Sequence, residues 1–349
     1  MIDLDNPGEL KRLDPKDVIG STGMFVSQCR QIWELAQDLE FPEDYKACQN
    51  IVVCGMGGSA YGGYVASSLF KDQLKIPLVS INDYHLPAFV NGKTLAILSS
   101  YSGGTEEVLS CKAEASGNGL KVTGITSGGK LGDFFKSVGV PSLVFDPRFN
   151  PSGQPRLGTG YVVLGTIALL KKLKFLALSD EEVNKALDEL EADLENIKQK
   201  AKNMSKKIFG AIPIIVSAEF LAGNAHILRN QFNETAKSFS AFSHLPELNH
   251  HLMEGLTNPT GKKLFVLFID SDLYSDKLKK RVKLTQDVVG KNNISFDKYK
   301  PSGVGKLSQI LNVLSFGGYL SLYTAFLYGQ DPSVIPWVDY FKKQLEVGN

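Results

Sequence analysis

The chain has 349 residues, with 38 Lys and Arg against 37 Asp and Glu, a formal net charge of +1. This balance excludes a broad basic field of the kind that displaces counterions from nucleic-acid phosphates. A composition of 43% hydrophobic and 21% charged residues suits a globular chain with two cores, and no unbroken apolar run suggests a bilayer span. The start, Met1-Ile2-Asp3-Leu4-Asp5, lacks the basic and apolar regions of a secretory leader. Cys29, Cys48, Cys54 and Cys111 have neither CxxC nor Cys/His metal spacing. These features predict a reduced, cytoplasmic protein that binds no metal, membrane or nucleic acid.

Residues 10–45 read as helical around Trp33. Ile51-Val52-Val53-Cys54 is a short β-branched run that stops at glycines, as a buried parallel strand does. A helix follows over 61–70, then strands at 77–81, 94–98, 121–125 and 142–145, with a helix over 106–116. Residues 160–174 are apolar enough for a buried helix. Ser179, with Glu182 three residues on, opens an amphipathic helix over 180–207 that bridges two halves. The second half predicts strands at 212–216, 264–269 and 295–299. Helices are predicted at 218–237, 277–290 and 304–329. A final helix over 334–347 has Val338 and Phe341 on its buried stripe and Lys342 beside it. Strands alternating with helices at this spacing define a doubly wound α/β class. The division falls into two domains, 1–175 and 176–349, without direct repetition between them.

Two glycine-containing loops follow strands and open helices. Gly55-Met56-Gly57-Gly58-Ser59-Ala60 fits a dinucleotide turn, with Asp83 placed as a ribose-binding acid, and equally a sugar-phosphate cradle of amides, a hydroxyl and a helix N-terminus. It is not a Walker loop, since no Gly-Lys-Ser/Thr follows. Ser99-Ser100-Tyr101-Ser102-Gly103-Gly104-Thr105 adds three hydroxyls (Ser100, Ser102, Thr105) at a second strand end. Such a neutral loop can wrap a phosphate monoester without lysine, and the pair favours a sugar phosphate over a dinucleotide.

These loops resemble those of the sugar isomerase (SIS) superfamily, and more narrowly those of the bifunctional phosphoglucose/phosphomannose isomerases of archaea and bacteria. The resemblance spans nearly the whole chain. It includes Pro155-Arg156, Asn233-Glu234-Thr235-Ala236-Lys237, Leu245-Pro246-Glu247-Leu248-Asn249-His250 and Phe341-Lys342. It implies two SIS-type domains and a cofactor-free, metal-free aldose–ketose isomerase acting on hexose 6-phosphates. Gly57, Gly58, Ser59, Ser100, Ser102 and Thr105 would hold the phosphate. Glu234 would be the base that moves a proton between C1 and C2, and Arg156 would stabilise the enediolate. His250, from the partner subunit of a homodimer, and Lys342 would open the sugar ring.

The chain departs from the family pattern at Gly104, Thr235 and Gly318, where Asn, Asn and Asp are expected. Ser333 is a candidate for the small polar residue that leaves room at C2 for both epimers. A non-catalytic SIS sensor and a nicotinamide-dependent oxidoreductase are the alternatives. A sensor usually carries a DNA-binding helical domain, and no basic helix is expected here.

Overall fold

The computed structural model describes residues 2–347. Three helices, α1 (Pro7–Leu13), α2 (Val18–Gly23) and α3 (Phe25–Leu35), replace the single helical stretch expected over 10–45. Asp14 breaks it, its carboxylate accepting the Val18 and Ile19 N–H groups at 2.8 Å each. The first sheet holds β1 (Asn50–Cys54), β2 (Leu78–Ile81), β3 (Thr94–Ser99), β4 (Lys121–Thr126) and β5 (Leu143–Val144). Its helices are α4 (Tyr61–Leu69), α5 (Glu106–Gly117), α6 (Gly129–Val138) and α7 (Thr159–Lys172). All strands are parallel in the order β2-β1-β3-β4-β5, with Val52 facing Val79 on one side and Ala96 on the other. Helix α6 is not among the expected elements because its glycine-rich start, Gly128-Gly129, resembles a loop.

The 29-residue α8 (Asp180–Ile208) begins with the expected capping box, Ser179 and Glu182 bonding each other's backbone N–H. A second sheet follows, built from β6 (Ile212–Ala218), β7 (Ala241–Leu245), β8 (Leu264–Ile269) and β9 (Ser295–Tyr299). It is also fully parallel, in the order β7-β6-β8-β9. Its helices are α9 (Ala222–Glu234), α10 (Leu252–Gly255), α11 (Asp276–Lys291), α12 (Lys306–Leu327) and α13 (Pro336–Val347). The helix expected over 218–237 is therefore shorter at both ends. Edge strand β7, Ala-Phe-Ser-His-Leu, escapes the sequence pattern because it is only half-buried and has no β-branched residue.

Three further expectations are corrected. The 22-residue α12 is long and apolar enough for a bilayer span, but 89% of that stretch is buried inside the protein. It packs on α8, α9 and α2, so its apolar surface is core. Helix α11 is basic over its first turns, with Lys277, Lys279, Lys280, Arg281 and Lys283, a local excess that the net charge averages away. In α13, Val338 and Phe341 are exposed rather than buried, together with Trp337 at 82%. The apolar surface of that helix is largely open, with Trp337 and Val338 lining a cavity on their own chain.

Candidate active site

The order β2-β1-β3-β4-β5 places a topological switch point between β1 and β3, where adjacent loops leave the sheet in opposite directions and open a crevice. Both glycine loops lie there. Gly57 adopts a left-handed conformation with φ +51°, which turns the chain from β1 toward α4. Ser59 is buried and its Oγ accepts the Tyr101 N–H at 3.0 Å, stitching the first loop to the second. Ser100 is also buried, its hydroxyl 2.8 Å from that of Thr105, the extended residue that precedes α5. Ser102 is exposed and accepts the Gly104 N–H at 3.3 Å. Ser59 and Ser100 thus shape the cradle from inside, while Ser102 is open to a ligand.

Arg156 sits in the 3-10 turn Pro155–Leu157, packed against the first loop. A Cβ on Gly58 would lie 3.0 Å from the Arg156 Cα, so glycine allows this close approach without displacing the turn. The Arg156 residue is 5% exposed. Its Nη1 donates to Gln154 Oε1 at 3.0 Å, and its Nη2 to the carbonyls of Pro332 at 2.7 Å and Ser333 at 2.9 Å. Its Nε has no hydrogen-bond partner among the described residues. Burial lowers its pKa, yet a guanidinium keeps its charge in any protein setting.

Glu234 closes α9, its Oε1 3.7 Å from Arg156 Nη1. The carboxylate lies at the negative end of the helix dipole and is partly desolvated. Desolvation raises its pKa above the ordinary value; Arg156, Lys342 and Lys237 oppose that rise, in that order. Glu234 and Lys237 line a cavity of ≈ 800 Å³, walled also by Phe239, Tyr328 and Trp337. That volume is within the range of small-molecule sites.

Lys342 and Asp339 stand three apart on α13 and share a face. Both are exposed; Lys342 favours the Glu234 carboxylate and Asp339 the Arg156 guanidinium through charge alone, with no hydrogen bond or ion pair to either among the described residues. His250 is the exposed last residue of the 3-10 turn Glu247–His250 after β7. Its neighbour Asn249 is fixed by Arg281 Nη1 at 3.1 Å and by Thr285 Oγ1 at 2.8 Å. No contact joins His250 to Glu234 or Arg156 among the described residues. One protomer therefore brings together the cradle, Arg156 and Glu234, leaves His250 apart, and has the exposed Lys342 close enough only for its charge to favour the Glu234 carboxylate.

Sequence reasoning missed a third loop. The Ser127 N–H and hydroxyl both donate to the Tyr101 carbonyl, at 2.9 and 2.7 Å, holding the second glycine loop from behind. The signal was Ser127-Gly128-Gly129 directly after a strand. Gln154, which orients Arg156, carried no signal. Among the described residues no group of three or more His, Cys, Asp or Glu side chains converges as metal ligands.

Two parallel, doubly wound sheets, with hydroxyl-rich loops at a switch point, define a protein of the sugar isomerase (SIS) superfamily. Residues 197–345 match the bacterial phospho-glucose isomerase C-terminal SIS domain. The chain is 33% identical over 312 residues to a bifunctional phosphoglucose/phosphomannose isomerase of Aquifex aeolicus, covering 88% of this chain and 93% of that protein. It is 31% identical over 334 residues to the Caldicellulosiruptor bescii protein of the same name, covering 91% and 96%. A solved structure of a hypothetical protein from Thermus thermophilus shares the fold, with a TM-score of 0.72 at 12% identity over 97% of this chain and 93% of that one. The chain belongs to the bifunctional phosphoglucose/phosphomannose isomerase family.

Proposed function

We propose that this protein interconverts glucose 6-phosphate and fructose 6-phosphate, with mannose 6-phosphate as a second aldose, through a cis-enediolate and without a metal or cofactor. The observation that carries this reading is the Arg156–Glu234 pair at 3.7 Å beside a cradle of uncharged donors. The 6-phosphate rests on the amides of Gly57 and Gly58 and the hydroxyls of Ser59, Ser100, Ser102 and Thr105. Glu234 removes the proton on C2, and the electron pair moves to the C1 oxygen as the C1–C2 double bond forms. Arg156 faces that developing charge from a water-poor setting, where a fixed cation counts most. The O2 hydroxyl proton then passes to O1 as the C2 carbonyl forms, and the protonated Glu234 returns its proton to C1, giving the ketose. A base held near working pH suits both directions, and partial desolvation tunes a carboxylate that way.

His250 and Lys342 serve ring opening in this reading, and His250 arrives from a second copy in a homodimer. Two observations support the partner. His250 is exposed and apart from its own Glu234, and the outward stripe of Trp337, Tyr340 and Phe341 needs cover. One sheet lies on each side of a domain division near residue 175. Ser333, whose buried Oγ has no partner among the described residues, fits the room required at C2. A larger Ser333→Asn side chain should lower turnover of mannose 6-phosphate more than that of glucose 6-phosphate.

The test of the whole reading is Glu234→Gln assayed on all three hexose 6-phosphates with a chelator present. The variant should bind fructose 6-phosphate with near-normal affinity and lose about 10²–10⁴-fold in turnover. Normal turnover would remove the mechanism.

A further inference from the structure

Lys237 lies three residues beyond Glu234 and performs no step in the reaction just described. Its backbone is left-handed, with φ +52°, a conformation that side chains with a Cβ rarely adopt. Its Nζ donates to the Thr235 carbonyl at 3.1 Å and to the Asp331 carbonyl at 2.6 Å. The next two carbonyls, of Pro332 and Ser333, are those taken by Arg156 Nη2. Three consecutive carbonyls are therefore held by two cations from distant parts of the chain. The segment is stiffened further by the Ser333 N–H, which bonds Asp331 Oδ1 at 2.7 Å. It leads directly into α13, which carries Lys342.

From this geometry we propose that Lys237 is a positioning residue: its ammonium clasps residues 331–333 to the C-terminal end of α9 and thereby sets Arg156 and Lys342 relative to Glu234. The strained backbone fits such a role, since strain persists where surrounding structure over-determines it. The ammonium also satisfies a carbonyl at the end of α9, where a cation is favoured. Without it, the Asp331 carbonyl loses its charged donor and α13 gains freedom to swing. Arg156 still holds the next two carbonyls, so the fold survives while the reach of Lys342 and the pose of Arg156 drift.

The charge of the clasp is pH-sensitive. Burial, then the nearby Arg156, push the Lys237 ammonium down to about 8, against the pull of Asp331 and Glu234. Lys263 lines the same cavity, and Lys342 acts on Glu234 from α13. Above that value the two bonds lose their charge assistance and weaken.

The kinetic part of this inference rests on the isomerase reading; the clasp itself does not. The experiment compares wild type, Lys237→Met and Lys237→Gln by hydrogen exchange, thermal unfolding and hexose 6-phosphate kinetics across pH. The Gln variant, uncharged and shorter than Lys, keeps a polar donor in case Met disturbs folding. Expected are faster exchange confined to residues 331–347 and an unchanged KM. The same variants should show kcat lowered about 10–100-fold, as misplacement near 1 Å gives, and loss of the wild-type decline in kcat above pH 8. Wild-type exchange in 331–347 for both variants would overturn the clasp. Faster exchange there with wild-type kcat would overturn its role in positioning. A chain that turns over no hexose 6-phosphate would sink the isomerase reading and leave the exchange result standing.

Discussion

Gly58→Ala tests whether the phosphate cradle and Arg156 are one mechanical unit. The new Cβ would stand 3.0 Å from the Arg156 Cα, 3.6 Å from its N and 3.6 Å from the Pro155 carbonyl oxygen. Carbon atoms prefer separations of about 3.5–4.0 Å, so the 155–157 turn must give by a few tenths of an ångström. Overpacking of this kind costs about 1–3 kcal/mol of stability. Chemistry is affected too, because a displacement near 1 Å away from the reacting atoms can cost about 10²-fold, and a few tenths correspondingly less. We expect kcat for fructose 6-phosphate to fall about 3–10-fold in a protein that still unfolds cooperatively. Gly57→Ala is the matched control. There no atom lies within 4 Å of the added Cβ, but φ is +51°. It should cost about 1–2 kcal/mol in backbone strain without moving Arg156. Steady-state kinetics beside thermal unfolding separates the two. A folded Gly58→Ala enzyme with wild-type kcat, or equal kinetic losses in both variants, would refute the coupling.

Four other outcomes follow from the structure. Glu234 must be ionised to act as a base and its pKa is raised, so kcat/KM should fall with acid through a pH above the ordinary glutamate value. Lys342 favours the carboxylate, so Lys342→Met should move that limb to higher pH; a limb that stays put or moves down contradicts the placement of α13. Mixing inactive His250→Ala and Glu234→Gln subunits should restore about one quarter of wild-type activity if each site is shared across a two-fold dimer, and no recovery would assign His250 to its own chain. Ser179→Ala breaks the capping box of α8 and should cost about 1 kcal/mol, read as a lower unfolding temperature with kcat unchanged.

The α/β class and most strands were legible because parallel strands are buried on both faces and read as plain apolar runs, as Ile51-Val52-Val53-Cys54 does. Ser179 and Glu182 announced α8 for an equally local reason. Long-range burial was not legible. Edge strand β7 has one open edge, is half-buried along most of its length and has no apolar run, so its pattern is diluted. The outward stripe of α13 misleads because amphipathic spacing tells which residues share a face, not whether that face meets the same chain. Glu234, Arg156 and the cradle loops could be named from motifs, but their convergence rests on a fold that brings residue 156 beside residue 234. Lys237 was visible only as a letter in Asn-Glu-Thr-Ala-Lys; its reach to residue 331 depends on where the last helix begins.

Helix α12 has a bearing on how the chain matures. It is the common wall for α8, α9 and α2, yet it comes late in the sequence, at Lys306–Leu327. A nascent chain lacks that wall until residue 327 clears the ribosome, leaving oily grooves on segments made much earlier. Translation halted before that point yields a chaperone client rather than a working half. Truncated chains that stop short of residue 306 should come out of cells as inclusion bodies.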